Sequence, residues 1–165
     1  MVGERFSYRG QGFSLQREKN RFVLPAPIRK TVRESSSGKT QLCLTKHDRW
    51  NCLTGFGLSR VDDFDAEIER EEVRAIQAGT PFDRDLRSMQ LFGHFEVPFD
   101  GSGRFVLPDH LASLAGIGKE IYFQGAGPFF TIWSPDVLAG MGAGWEGPQA
   151  ACANFLREAG KGLPS

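Results

Sequence analysis

Five consecutive residues, Arg21-Phe22-Val23-Leu24-Pro25, return 83 positions later as Arg104-Phe105-Val106-Leu107-Pro108. Self-similarity of this kind is the signature of a duplicated supersecondary unit. The likeness continues beyond the pentapeptide. An apolar residue follows each proline by three, Ile28 and Leu111, and then comes a helix-length stretch. An apolar triplet follows, Leu42-Cys43-Leu44 in the first copy and Ile121-Tyr122-Phe123 in the second, which is four residues shorter in its middle. Apolar strands around 50–53 and 129–133 close the two copies. Each copy therefore reads as strand, tight turn, strand, short helix, strand, loop, strand.

The turn before each pentapeptide has a definite chemistry. In the second copy Asp100-Gly101-Ser102-Gly103 separates Phe95-Glu96-Val97-Pro98-Phe99 from Arg104-Phe105-Val106-Leu107, and an Asp-Gly between two β-rich runs is a hairpin signal. In the first copy the loop reads Gln16-Arg17-Glu18-Lys19-Asn20, with Asn20 at the place of Gly103. Asn is the next residue after Gly to accept positive φ.

Two helices are expected between the copies. Ser59 with Asp62 three later starts one whose Phe64, Ile68, Ala75 and Ile76 share a face and which Gly79 stops. Thr80-Pro81, with Pro at the first helical position, starts another with a stripe of Phe82, Leu86, Met89 and Phe92 ended by Gly93. After Pro135-Asp136 the chain turns Gly-rich. A last short helix is expected over 148–159, capped by Gly160, in a loosely held tail. The division that follows is 11–58 for the first copy, 59–93 for the two-helix insert, 94–137 for the second copy and 138–165 for the tail.

Charge is distributed unevenly along this plan. The 165 residues carry 20 basic and 20 acidic side chains, a balance of zero. Residues 1–50 nevertheless sum to +7, residues 51–100 to −6 and residues 101–165 to −1. The basic third is a candidate anion-binding face, and the acidic third is a separate element. Three cysteines, Cys43, Cys52 and Cys152, with no CxxC spacing and no charged-then-apolar leader, fit a reducing cytoplasm. No apolar run approaches the roughly 20 residues of a membrane span.

These residues carry a resemblance. A doubled loop ending in Gly or Asn, then Arg, three apolar residues and Pro, with an acidic two-helix insert between the copies, is similar to the MraZ family of bacterial regulators of the division and cell-wall gene cluster. The likeness spans about residues 8–137. The family's mark is an Asp-x-x-Gly-Arg loop in each of two AbrB-like half-domains, which Asp100-Gly101-Ser102-Gly103-Arg104 matches in full. Tyr8-Arg9-Gly10, Leu91-Phe92-Gly93-His94 and Phe130-Thr131-Ile132-Trp133 resemble the family's opening, the approach to its second half and that half's end. The first loop departs from the mark: Arg17-Glu18-Lys19-Asn20-Arg21 stands where the family has Asp-x-Lys-Gly-Arg, so Lys19 and Arg21 match and the Asp and Gly do not.

The resemblance implies a mainly β, α+β fold in which two tandem AbrB-like half-domains form one pseudo-two-fold, β-barrel-like core with inserted helices. It implies a sequence-specific DNA-binding transcriptional repressor, nucleoid-associated in the cytoplasm. Its partner would be double-stranded DNA bearing promoter repeats, which a ring-shaped homo-oligomer engages at several points. The residues agree with a DNA role on their own chemistry. Arg17, Lys19 and Arg21 on one loop, Arg104 on the other, and Arg5 and Arg9 near the start offer cations able to bond phosphates or a guanine edge. Asn20, Asp100, Gly101 and Gly103 set the loop geometry. Asp100 pairing with Arg104 as a brace of its own turn is the competing reading for that arginine.

Other chemistries find less support. Cys43, His47 and Cys52 are one ligand short of a closed zinc site, and Cys43 sits in an alternating strand where burial explains it. His94 and His110 stand alone, with Asp109 a candidate N-cap. No phosphate loop, no Gly-x-Ser-x-Gly and no nucleophile with a base is present, so neither catalysis, a cofactor, a metal nor a small-molecule substrate is expected. The aromatics Phe95, Phe99, Phe105, Tyr122, Phe123, Phe129, Phe130 and Trp133 have the composition of a sheet core. The altered first loop and the acidic insert leave a second class open: an AbrB- or antitoxin-like interaction scaffold with weak or lost DNA binding.

Overall fold

A computed structural model of the chain describes residues 6–161. The chain is α+β, and among the described residues all strand pairings are antiparallel. The strands are β1 (Gln11–Leu15), β2 (Arg21–Val23), β3 (Gln41–Lys46), β4 (Leu53–Phe56), β5 (Phe95–Pro98), β6 (Arg104–Val106), β7 (Glu120–Gly125) and β8 (Phe130–Trp133). The α-helices are α1 (Ala26–Ser35), α2 (Phe64–Ala78), α3 (Arg84–Phe92), α4 (Asp109–Leu114), α5 (Pro135–Ala139) and α6 (Glu146–Lys161).

Six strands form one open sheet in the order β1-β7-β8-β4-β3-β5, and β2 pairs with β6 in a separate ribbon. The sheet does not close into the expected barrel. Its two edges, β1 and β5, each precede a loop whose next strand leaves for the ribbon. The loops expected as simple hairpins keep a hairpin's closure, with an antiparallel bridge between Phe99 and Phe105 at the second, and then open as forks. β1 pairs with β7 and β5 with β3, while β2 and β6, the two copies of Arg-Phe-Val, pair with each other.

The residues with positive φ explain the fork. Asn20 has φ of 59° and Gly103 of 88°. Each lends its carbonyl to the opposite copy: Leu107 N–H donates to Asn20 at 2.8 Å, and Leu24 N–H donates to Gly103 at 2.8 Å. A left-handed residue reverses the direction of the chain's hydrogen-bonding edge, so these two positions join the copies.

The ribbon's inner residues, Phe22 and Phe105, enter the main core with Leu24, Leu107, Leu42, Leu44, Phe56, Phe123 and Phe130. Burying each such side chain contributes about 1.5–3 kcal/mol. A second cluster lies on another face of the sheet. Phe13, Tyr122 and Trp133 are register partners in a row across β1, β7 and β8. Phe155 of α6 stacks on Phe13 with centroids 6.0 Å apart, and Trp145 packs edge-on against Trp133 and Trp50. The tail is thus a packed cover, and its helix is longer than expected at both ends because this aromatic row holds it.

The insert differs from expectation at its helix starts. Ser59 does not cap a helix; its hydroxyl bonds the Ser35 hydroxyl of α1 at 2.6 Å, and residues 58–63 form a 3-10 turn before α2. Pro81 precedes α3, whose cap is Asp83 accepting from Leu86 N–H at 3.0 Å. Gly79 ends α2 in the left-handed conformation. Phe64 and Ile68 are buried, but Leu86, Met89 and Phe92 are exposed, because α3 turns Leu91 inward and binds α2 through ions. Arg87 meets Glu71 at 2.9 Å, and Arg84 meets Glu69 and Glu72 at 2.8 and 2.9 Å. Phe95 is likewise exposed, standing edge-on over His110. Asp109 is the first residue of α4 and Pro108 its cap, so the Asp109 carboxylate is free to turn elsewhere.

Candidate nucleic-acid interface

The β2–β6 ribbon pairs Arg21 with Val106 and Val23 with Arg104. Directly opposed residues of an antiparallel pair share a face, so Arg21 and Arg104 stand on the same side of the ribbon. The phenylalanines between them point to the core, which makes that side the outward one. The two loops lie at opposite ends of the ribbon because the pairing is antiparallel.

The first loop is closed by Arg17 N–H donating to Arg21 O at 2.9 Å and Arg21 N–H to Glu18 O at 3.0 Å. The Gln16 side chain accepts from Asn20 N–H at 3.1 Å. Two carboxylates approach its cations. Glu18 lies 3.7 Å from Arg21 Nε, and Asp109 of α4 lies 4.0 Å from Lys19 Nζ while accepting from Asn20 Nδ2. Lys19 is 86% exposed and Asp109 74%, so their attraction is weak and readily screened. Among the described residues Arg17 has no ionic partner.

The second loop is built around Asp100. Its carboxylate accepts from Ser102 N–H and Arg104 N–H, both at 2.9 Å, and from Arg104 Nε at 2.6 Å. Those bonds, Arg104's backbone first and its guanidinium next, hold the Asp100 carboxyl below the usual range. Gly103 N–H closes the turn onto Asp100 O at 2.9 Å. The left-handed residue is Gly103, whereas Gly101 does not take positive φ. Arg104 remains 64% exposed even in this brace.

Arg9 is not brought to either loop. It sits before β1, beside the β7–β8 turn at Gly125 and Gly127, while the first loop follows the other end of β1. Arg5 lies outside the described residues. Two neighbours escaped the sequence reading. Asp109 meets the first loop, and Arg29 of α1 lies over Gly103, where a built Cβ would stand 2.6 Å from its Nη1. The two helix starts align at the repeat interval, with Ala26 opposite Asp109 and Arg29 opposite Ala112. That difference was visible in the sequence, but its meaning depends on knowing that β2 pairs with β6.

The remaining candidates have structural roles. Cys43 lies in the main core and Cys52 in the second cluster, and burial pushes both thiols up to about 12. Among the described residues no three His, Cys, Asp or Glu side chains gather as a metal site. His47 stacks on Trp50 and accepts from the N–H groups of Arg49 and Trp50 through Nδ1. Burial lowers its pKa, so the ring is neutral and its approach to Asp48 is no ion pair. Among the described residues no helix is long and apolar enough to cross a membrane.

No family model matches the chain. Curated proteins do. The chain is 31% identical over 137 residues to the transcriptional regulator MraZ of Parvibaculum lavamentivorans, covering 81% of this chain and 79% of that protein. It is 30% identical over 121 residues to the transcriptional regulator MraZ of Rhodospirillum rubrum, covering 73% and 74%. Against the transcriptional regulator MraZ of Thioalkalivibrio sulfidiphilus it is 31% identical over 121 residues, covering 72% and 73%. These relatives are named for a role that is not enzymatic. Identity at this level over more than two thirds of the chain, together with the doubled loop, places it in the MraZ family.

Proposed function

We propose that this chain is a sequence-specific DNA-binding transcriptional regulator that uses the outward face of the β2–β6 ribbon and the loops at its two ends. The observation that carries the reading is the common face of Arg21 and Arg104, flanked by Arg17 and Lys19. A two-stranded ribbon fits the DNA major groove, where guanidinium groups bond phosphates or the guanine edge. The printed names of the relatives support regulation of transcription.

The finer reading follows the resemblance. Residues 11–58 and 94–137 are two AbrB-like half-domains that exchange outer strands, with 59–93 as insert and 138–165 as tail. The sheet order supports this: matched by repeat, β1 with β5, β7 with β3 and β8 with β4, it reads alike from both ends. The protein acts in the cytoplasm on the nucleoid as a repressor of the division and cell-wall cluster, binding promoter repeats as a ring of identical subunits. Exposed apolar side chains on the insert, Ile76 at 72% and Met89 at 66%, support association between copies. An electrophoretic mobility assay with the region upstream of the chain's own operon tests the proposal. A shift that weakens steeply with salt is expected, and its absence on both specific and unrelated duplex would overturn it. The carboxylates of Glu18 and Asp109 beside the first loop favour one second reading, a protein-interaction scaffold with weakened DNA binding, which the same absence would support.

A further inference from the structure

We infer that Val106 reads the 5-methyl group of thymine, as the apolar neighbour of the two arginines on the ribbon's outward face. The inference rests on the DNA reading above and adds to it a base preference carried by an uncharged side chain.

The outward face of the ribbon holds Arg21 and Val23 of β2 with Arg104 and Val106 of β6. The register sets Arg21 opposite Val106 and Val23 opposite Arg104, while Phe22 and Phe105 fill the core. The two valines are not equivalent. Val23 is half-buried, whereas Val106 is 50% exposed. Among the described residues the other exposed large apolar side chains lie on α2, α3, α4 and β5, and Val106 alone lies on the ribbon. It stands beside Arg21 across the ribbon and two residues beyond Arg104 along its own strand.

That placement selects its ligand. Directly opposed residues have Cβ atoms about 5 Å apart, and successive base pairs rise about 3.4 Å, so an arginine bound in the groove sets Val106 within about two base steps of its own contact. The base edges there present hydrogen-bonding groups and one apolar projection, the thymine methyl. A valine surrounded by cations that bind DNA gains by covering that methyl and by nothing else on the groove floor. The side chain is also pre-positioned. Leu107 N–H, next along the chain, donates to Asn20 O at 2.8 Å, and Leu24 N–H donates to Gly103 O at 2.8 Å at the ribbon's other end. A β-branched residue on so fixed a strand has little rotamer freedom left to lose.

The test is fluorescence anisotropy of the full chain with a duplex of its own upstream region, in which each thymine in turn is replaced by deoxyuridine. That exchange removes the methyl and keeps every hydrogen-bonding group. For the wild type a loss of about three- to fivefold is expected at the contacted thymine, the effect of leaving about one methyl group uncovered. For Val106→Ala the same exchange should cost less than about twofold. Its salt slope should stay at the wild-type value, since no charge is removed. If the wild type binds with a steep salt dependence and no thymine shows a methyl effect, the inference fails and the DNA reading stands. It fails equally if Val106→Ala keeps the full methyl effect. A nuclear Overhauser contact between the methyls of Val106 and thymine in the wild-type complex needs no variant to fold, and its absence would overturn the inference as well. Absence of salt-dependent binding by the wild type overturns both.

Discussion

The two loops lead into the same Arg-Phe-Val-Leu-Pro and carry opposite charge endowments. The first is strongly basic by its own residues, yet Glu18 and Asp109 lie on its cations. The second pairs its single arginine internally with Asp100 and receives Arg29 from α1. Local sequence therefore overstates the difference between them. The charge a loop presents is set by what the fold packs beside it, and here each loop's neighbour comes from the other copy.

The comparison can be broken most sharply at the first loop. Replacing Arg17 and Lys19 together by Ala should lower the salt slope of DNA binding by between about one and two units per engaged subunit. Arg17 counts in full and Lys19 is already partly offset by Asp109. Salt titrations by anisotropy measure this, and an unchanged slope would mean that the first loop no longer touches DNA.

The turn positions sharpen it next. Gly103→Ala places a side chain at φ of 88° and 2.8 Å from the Leu24 carbonyl oxygen, and should cost about 1–3 kcal/mol in denaturant unfolding. Asn20→Gly sits at φ of 59° with no such clash and should change stability by less than about 1 kcal/mol, relief of strain opposing loss of the bond to Asp109. Equal costs at the two positions would contradict the closer backbone approach at Gly103.

Asp109→Asn releases Lys19 while keeping a side chain able to face Asn20. Tighter DNA binding is expected at low salt, by up to about fivefold, the worth of an exposed ion pair, fading as salt rises. Weaker binding would show that Asp109 positions the loop productively.

The smallest effect is one of pH. Because the Asp100 carboxyl titrates below its ordinary 3.8 in the folded chain, its bonds stabilise the turn fully above that value, and the contribution is lost as pH falls from about 3.8 through its lowered pKa. Amide resonances of Ser102 and Arg104 should move in that interval.

Much of this architecture was legible in the sequence, for identifiable reasons. The repeated pentapeptide and Asn20 at the place of Gly103 marked the two loops and their left-handed residues, because turn chemistry is local. Gly79 marked the end of α2 for the same reason. The pairing partners were not legible. Nothing within residues 95–107 states that β5 turns to β3 and β6 to β2, since strand choice depends on contacts distant in the chain. Arg29 and Asp109 stayed hidden behind that step. Leu86, Met89 and Phe92 had the spacing of a core stripe, but α3 buries Leu91 instead and leaves the stripe largely exposed, with Phe92 meeting Phe64 edge-on. Arg9 was close to the first loop in sequence, but an extended strand separates them by about 3.3 Å per residue.

The central claim, that both loops face DNA with similar charge despite unlike sequences, is tested most directly by comparing two double variants. Salt slopes would be measured for Arg17→Ala with Lys19→Ala and for Arg29→Ala with Arg104→Ala, on one duplex from the chain's own upstream region. The account predicts losses within about one unit of each other. A slope that falls only in the first pair would contradict it, leaving the second loop as a structural turn.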